Sequence, residues 1–439
     1  MRFIILGHFD GEAGKEGHHP SLRVFRRELV YGETCFIAAN ERKSWHKSMY
    51  HQYTVLGDAS EFDAEPLGDD LSRDVYCVLG LAIDATDMSN VQRKIIAASR
   101  QSKPYVMSTP NLNFLVMTLA DREFRESLLF SNLCLPDGMP IVWIARLMGI
   151  PIRRRIAGSD VFAVLQEKNR EADALGIFLF GATDRVTSAA ARALNERKTA
   201  IECLGWICPG FGTIDELSQA QFFSEINSSG AKFLVVALNA RKGQLWLYRN
   251  HHALRVPVRA QLGATIHFEA GSVKRAPGVL QKCGLEWFWR ITQEPKLWSR
   301  YFKDGIVFLW LVLSRILPLA LNARSLRQKT RRGGRNLLLA QLETKDAIIL
   351  RLDGYATVEG IKEAITLFRA ALAKGKPLEV DLSNTLGMDP RFMGLLLMLR
   401  TQMWRSGRRG PRFSGVKAQL QLLFRRNGLE YLLDEGDGC

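Results

Sequence analysis

Between Val75 and Leu238 the chain repeats one rhythm: a short apolar run, a loop of small polar residues, then a stretch with helical spacing of apolar side chains. That rhythm leaves few folds open. Val75-Tyr76-Cys77-Val78-Leu79-Gly80 reads as a strand, Ser89 to Ser102 as a helix capped by Asp87 or Ser89, and Tyr105-Val106-Met107 as the next strand. Phe114 to Phe130 has helical spacing, Leu133-Cys134-Leu135 is a short strand, and Ile141 to Met148 is another helix. The clearest unit is Ile177-Phe178-Leu179-Phe180, then Gly181-Ala182-Thr183-Asp184 and a helix from Val186 to Glu196, with Phe233 to Leu238 a further buried strand. Such alternation predicts an α/β, Rossmann-like, mostly parallel sheet with helices on both faces and ligands at the carboxyl ends of the strands.

At 439 residues, 47% hydrophobic and 24% charged, the chain is globular and long enough for two or three domains. Residues 1–74 form an N-terminal region without a readable motif. Residues 75–303 carry the strand and helix rhythm, 304–337 an apolar segment and a basic linker, and 338–439 a second, smaller α/β domain. In the last, Ala347 to Gly354 reads as a strand and turn, Val358 to Leu372 as a helix, Leu378 to Leu382 as a strand and Gly394 to Trp404 as a helix. Seven scattered cysteines (35, 77, 134, 203, 208, 283 and 439) show no C-x-x-C pair, which fits a reducing, cytosolic setting. Met1 to Gly7 looks like a short strand, with too brief an apolar region for a signal peptide.

The net charge of +15 is concentrated in Arg324, Arg327, Lys329, Arg331, Arg332 and Arg335, a cluster that seeks phosphates. Just before it, Ile306 to Leu313 is an unbroken apolar run that continues, past Ser314 and Arg315, to Leu321. It falls short of the roughly 20 clean residues of a spanning helix. The run is either a buried core helix or a segment that dips into a leaflet and is held there by anionic lipid. Tryptophans between Trp287 and Trp310, interleaved with Arg and Lys, fit a membrane interface better than a nucleic-acid surface.

Gly181-Ala182-Thr183 could offer backbone amides and a helix end to a phosphate, or be an ordinary turn between strand and helix. Asp137, between Pro136 and Gly138 at a strand end, is placed either as a general base or as a turn residue. Thr109 and Asn111 could orient a sugar, although Pro110-Asn111 also suits a turn. His18-His19 and His251-His252 have no acidic or cysteine partner at ligand spacing, so no metal site is expected.

Residues 75 to about 301 resemble the WecG/TagA/CpsF family of bacterial glycosyltransferases. The likeness rests on Thr109-Pro110-Asn111, Leu135-Pro136-Asp137-Gly138, Arg155-Ile156-Ala157-Gly158-Ser159-Asp160, Arg275-Ala276-Pro277, Gly284-Leu285-Glu286-Trp287, Arg290, Glu294-Pro295 and Arg300-Tyr301. The resemblance implies transfer of a sugar from a UDP-sugar, with inversion, to a polyprenyl-diphosphate-linked sugar in exopolysaccharide, capsule or cell-wall polymer synthesis. It implies Asp137 as the base, Thr109 and Asn111 beside the donor sugar, Arg155 near the site, and Arg290 and Arg300 on the diphosphate. The enzyme would sit on the cytoplasmic face of the membrane and need no metal, since no strict D-x-D triplet occurs and cationic side chains can neutralise the leaving group.

The donor side departs from the family pattern. Where Gly-x-Pro-Lys-Gln-Glu is usual, this chain reads Asn239-Ala240-Arg241-Lys242-Gly243-Gln244, so the Gln falls at Gly243 and Gln244 remains as the candidate amide. Ile266-His267-Phe268 replaces a usual Phe-Asp-Phe. These changes raise an alternative, a catalytically degenerate transferase kept as a membrane-docked scaffold. Residues 338–439 resemble a STAS domain at Leu352-Asp353-Gly354, Val380-Asp381-Leu382-Ser383-Asn384, Met388-Asp389 and Gly394, which implies a docking or regulatory module for a protein partner. Pro390 stands where signalling members carry a phosphorylatable serine.

Overall fold

The computed structural model describes residues 69–101, 103–167, 174–277, 279–280, 284–333 and 336–434. The readings of Met1 to Gly7, His18-His19, Cys35, Cys283, Cys439, Arg335 and most of region 1–74 lie outside the described residues.

The central sheet has six parallel strands. They are β3 (Tyr105–Ser108), β4 (Leu133–Cys134), β5 (Leu175–Gly181), β6 (Ile201–Ile207), β7 (Phe233–Ala237) and β8 (Val258–Gln261), in the order β4-β3-β8-β7-β5-β6. Every residue of β5 and β7 is buried, as expected for strands covered on both faces. Alternate side chains serve the two layers: Phe178 and Phe180 join one apolar cluster, Ile177 and Leu179 the other. The helix after β3, Leu112–Thr118, buries Phe114 and Leu115 in the first layer, whereas the helix after β8, Gly263–Glu269, buries Ile266 in the second. Adjacent strands whose chains leave in opposite directions open a crevice at their carboxyl ends.

Val75 to Gly80 does not join this sheet. It forms β1 (Val75–Val78) of an antiparallel hairpin with β2 (Leu81–Asp84), turned at Leu79 and Gly80, both with positive φ. Phe114 to Phe130 is two helices, Leu112–Thr118 and Arg122–Leu129, because Asp121 caps the second by accepting from the Phe124 amide at 3.0 Å. The basic segment is mostly helix too. A continuous helical rod runs from Trp298 through a π turn at Val312–Ile316, just before Pro318, to Arg331. Its Leu319, Ala320, Ala323 and Leu326 are buried, and Arg327 donates to the Met148 carbonyl at 2.6 Å.

The C-terminal strands are β9 (Leu338–Glu343), β10 (Ile348–Ala356), β11 (Leu378–Asp381), β12 (Thr385–Met388) and β13 (Arg412–Ser414). β10 pairs antiparallel with β9 and parallel with β11 and β12, and β13 extends the sheet beyond β11. The helix Pro390–Arg405 packs against the helix Ile361–Ala373 and the β1-β2 hairpin, and its Phe392 shares an apolar cluster with Ile348 and Leu350 of β10. One apolar cluster therefore runs from Leu71 and Val75 through Phe180 and Trp246 to Phe392 and Leu432.

Candidate active site

Two loops meet at the carboxyl ends of β3 and β4. The Leu135 amide donates to the Ser108 carbonyl at 2.8 Å and the Asp137 amide to the Pro110 carbonyl at 3.0 Å. Thr109-Pro110-Asn111 and Pro136-Asp137-Gly138 thus run side by side, prolonging the sheet pairing beyond the strands. Gly138, at φ +83°, turns the chain into the helix Met139–Met148, which has a proline in its first turn. Asn111 caps its own helix, its side-chain oxygen accepting from the Phe114 amide at 3.2 Å. The Ile156 amide donates to the Pro136 carbonyl at 2.8 Å and so brings Arg155 across the loop. Gly158 fits between Thr109 and Leu262, where a Cβ would meet Leu262 Cδ2 at 2.2 Å.

Charge gathers around Asp137. Arg155 places Nη1 4.0 Å from Asp137 Oδ1, donates from Nη2 to Glu286 Oε1 at 2.6 Å, and lies 3.8 Å from Asp160 Oδ2. Arg275 pairs with Asp160. Arg290, in the helix Glu286–Gln293, adds positive charge at Asp137, and its Nε is buried without a hydrogen-bond partner among the described residues. Although 26% of the Asp137 side chain reaches solvent, burial pushes its carboxyl up to about 6, helped by the charge of Glu286. Arg155, Arg290 and the Gly138 amide hold it back from rising further. A carboxyl raised to about 6, partly open to solvent and beside a guanidinium whose Nε is unpaired among the described residues, suits proton abstraction from a bound hydroxyl.

Residues 76–321 match the family model described as "Glycosyl transferase WecG/TagA/CpsF family". The chain belongs to that family. Among its relatives is the N-acetylglucosaminyldiphosphoundecaprenol N-acetyl-beta-D-mannosaminyltransferase of Bacillus subtilis (strain 168), 29% identical over 199 residues, which are 44% of this chain and 74% of the relative. The enzyme of the same name from Staphylococcus aureus (strain MW2) is 23% identical over 237 residues, 54% of this chain and 91% of the relative. The protein is accordingly a glycosyltransferase, and its α/β fold is the one the strand rhythm predicts.

Within this WecG/TagA/CpsF transferase, Thr109, Asn111, Asp137, Arg155 and Arg290 come together at one end of the sheet. The remaining expected residues do not join them. Gln244 is buried, its Oε1 accepting from Ser108 Oγ at 3.0 Å and its Nε2 donating to the Ser127 carbonyl at 3.0 Å, so the amide braces the core behind the site. Arg300 is exposed, with its guanidinium over the Tyr301 ring. Gly181-Ala182-Thr183 ends β5, with β7 and β8 between it and β3. There the Ala182 amide is committed to the Ala237 carbonyl at 2.9 Å, and Asp184 puts an acid in the first helical turn, where it opposes a phosphate.

Three partners in the cluster, Asp160, Arg275 and Glu286, were not expected as site residues. Each stands inside a motif that carried the family resemblance, and opposite charges in separate motifs were the signal available. At Gly243, where the resemblance expects glutamine, a Cβ would lie 1.9 Å from Gln261 Oε1. Gln261, at the end of β8, donates to the Leu238 carbonyl at 2.5 Å, and its buried oxygen has no hydrogen-bond partner among the described residues.

Proposed function

We propose that this transferase moves a sugar from a UDP-sugar, with inversion, to a polyprenyl-diphosphate-linked sugar in bacterial polymer synthesis. The observation that carries the reading is Asp137, held near a pKa of 6 among Arg155, Glu286 and Arg290 at the mouth of the crevice. In this reading Asp137 takes the proton of the acceptor hydroxyl as that oxygen attacks the anomeric carbon. The nucleoside diphosphate leaves from the opposite face with the bonding pair, and Arg290, Arg155 and Arg275 offset its charge without a metal ion. The name of the Bacillus subtilis relative supports a lipid-diphosphate acceptor.

The rod supports association with a membrane, which this reading sets at the cytoplasmic face. Pro295–Arg331 is the one helical stretch among the described residues long and apolar enough to cross a membrane, and only 28% of its most apolar stretch is buried, which disfavours a core helix. Trp298, Phe302, Ile306, Leu309, Leu313, Leu317 and Leu321 form one exposed stripe, followed by exposed Arg324, Arg331 and Arg332. In our reading the stripe lies in the interfacial layer and the arginines meet lipid phosphates.

The order of β10, β11, the helix Pro390–Arg405 and the Asp389 cap supports a STAS-like reading of the C-terminal unit. Pro390 opens that helix, and Arg391 is buried against the carbonyls of Arg73 and Val75. The scaffold reading has one observation in its favour, the Gln261 side chain filling the space beside Gly243. The test is transfer from a panel of radiolabelled UDP-sugars to a short-chain lipid-diphosphate acceptor, with and without EDTA. Transfer that resists EDTA and falls about 10²-fold or more in Asp137→Asn is expected; no transfer with any donor would leave the scaffold.

A further inference from the structure

β4 is two residues long and stands at the edge of the sheet, yet the chain leaving it carries Asp137 three residues later. So short a strand has little pairing of its own to hold it. Its support comes from a buried line of alternating charges that starts in the C-terminal unit. Arg405, the last residue of the helix Pro390–Arg405, lies with Nε 3.0 Å from Asp70 Oδ2, a charge contact without hydrogen-bond alignment, and donates from Nη2 to the Phe130 carbonyl. Asp70 meets Arg73 Nη1 at 3.3 Å, and Arg73 grips Asp84 through Nε at 3.2 Å and Nη2 at 2.7 Å. Asp84 Oδ2 then accepts from the Cys134 amide at 2.7 Å. The side chains of Asp70, Arg73, Asp84 and Arg405 are all buried, two cations and two carboxylates, so removing any one leaves the buried line with one charge in excess.

We propose that the C-terminal unit is a built-in support of the acceptor-activating loop. Arg405, Asp70, Arg73 and Asp84 act as positioning residues that fix the Cys134 amide and, through it, Asp137. The line begins at residue 405, beyond the residues 76–321 that carry the family match, so this chain sets its base partly with structure outside the matched region. The paired bonds from Leu135 to Ser108 and from Asp137 to Pro110 are what the support preserves. Its catalytic consequence rests on the proposed function; its mechanical consequence does not.

The experiment therefore has two readouts on the full chain. Amide hydrogen exchange without substrate is followed at Leu135 and Asp137 in wild type, Arg405→Gln, Arg405→Lys, Asp84→Asn and, as a control, Arg400→Gln, which breaks the ion pair of the same helix with Glu126 (Nη1 to Oε2, 2.8 Å). Exchange at both amides should rise about tenfold or more in Arg405→Gln and Asp84→Asn, less in Arg405→Lys, and stay at wild-type level in Arg400→Gln, with β5 and β7 unchanged in all. Steady-state transfer should show kcat lowered about 10- to 100-fold in Arg405→Gln with little change in either KM, and partial recovery in Arg405→Lys. Unchanged exchange at Leu135 and Asp137, or a rise spread evenly over the molecule, overturns the proposal. Absence of transfer in the wild type would defeat the proposed function while the exchange result still decides this one. If Arg405→Gln fails to fold, Asp84→Asn and Arg405→Lys carry the same comparison.

Discussion

The two halves of the crevice are built differently. On the β3 and β4 side, backbone bonds lock two loops together and three arginines crowd around three carboxylates, one of which titrates near neutrality. On the β5, β7 and β8 side, polar groups at the strand ends are turned inward, the Ala182 amide to the Ala237 carbonyl and the Gln261 amide to the Leu238 carbonyl. The contrast teaches that the β3 and β4 end is organised as a charged cluster without any ligand, whereas the polar groups at the ends of β5 and β8 are already committed to the protein's own backbone.

The largest break in this comparison should come from Asp137→Asn, which we expect to lower kcat/KM about 10²- to 10⁴-fold. Its stability effect has the opposite sign. The folded carboxyl titrates above an unfolded value of about 3.9, so its ionised form is the disfavoured one in the fold, fully so above about pH 6 and not below about pH 4. Asp137→Asn should therefore raise Tm at pH 8 and leave it unchanged at pH 4; a lower Tm at pH 8 would contradict the burial argument.

Next in size, Gly243→Gln forces a Cβ into Gln261 Oε1 and should cost about 1–3 kcal/mol in urea unfolding. Adding Gln261→Ala should recover most of that loss, because the obstructing atom is gone. A more modest change concerns the pH profile: wild-type kcat/KM should lose activity below an acid limb near pH 6. Arg155→Gln, which removes a charge that holds the carboxyl down, should move that limb upward; a limb that stays in place would remove Arg155 from the electrostatics of the base. Smallest for the fold, Leu309→Glu with Leu313→Glu should shift Tm little, since both side chains are exposed, while abolishing flotation with anionic liposomes.

Much of the sheet was legible because buried parallel strands announce themselves. Ile177 to Phe180 and Phe233 to Ala237 are continuous apolar runs, and the structure makes them β5 and β7. The β1-β2 hairpin was hidden because Leu79, a side chain rarely found at positive φ, occupies its turn beside Gly80. Arg324 to Arg335 read as linker because charge dominates there, yet the stretch as far as Arg331 is helical, and its buried Leu326 continues the docked face of Leu319, Ala320 and Ala323. At the site, the loops and Asp137 were legible from local motifs. The pairing of Arg155 with Glu286 and of Arg275 with Asp160 was not, since each joins residues more than a hundred positions apart.

Gly394 carries a consequence for how the chain is made. A Cβ at that position would meet the Val75 carbonyl oxygen at 2.1 Å, so the helix and the hairpin touch backbone to side-chain-free backbone. More than 300 residues separate Arg391 from the Val75 carbonyl it contacts. During synthesis from the N-terminus, the apolar face of the hairpin is therefore left uncovered until nearly the whole chain has emerged. Closing that distant contact comes late in folding and carries a large loop entropy.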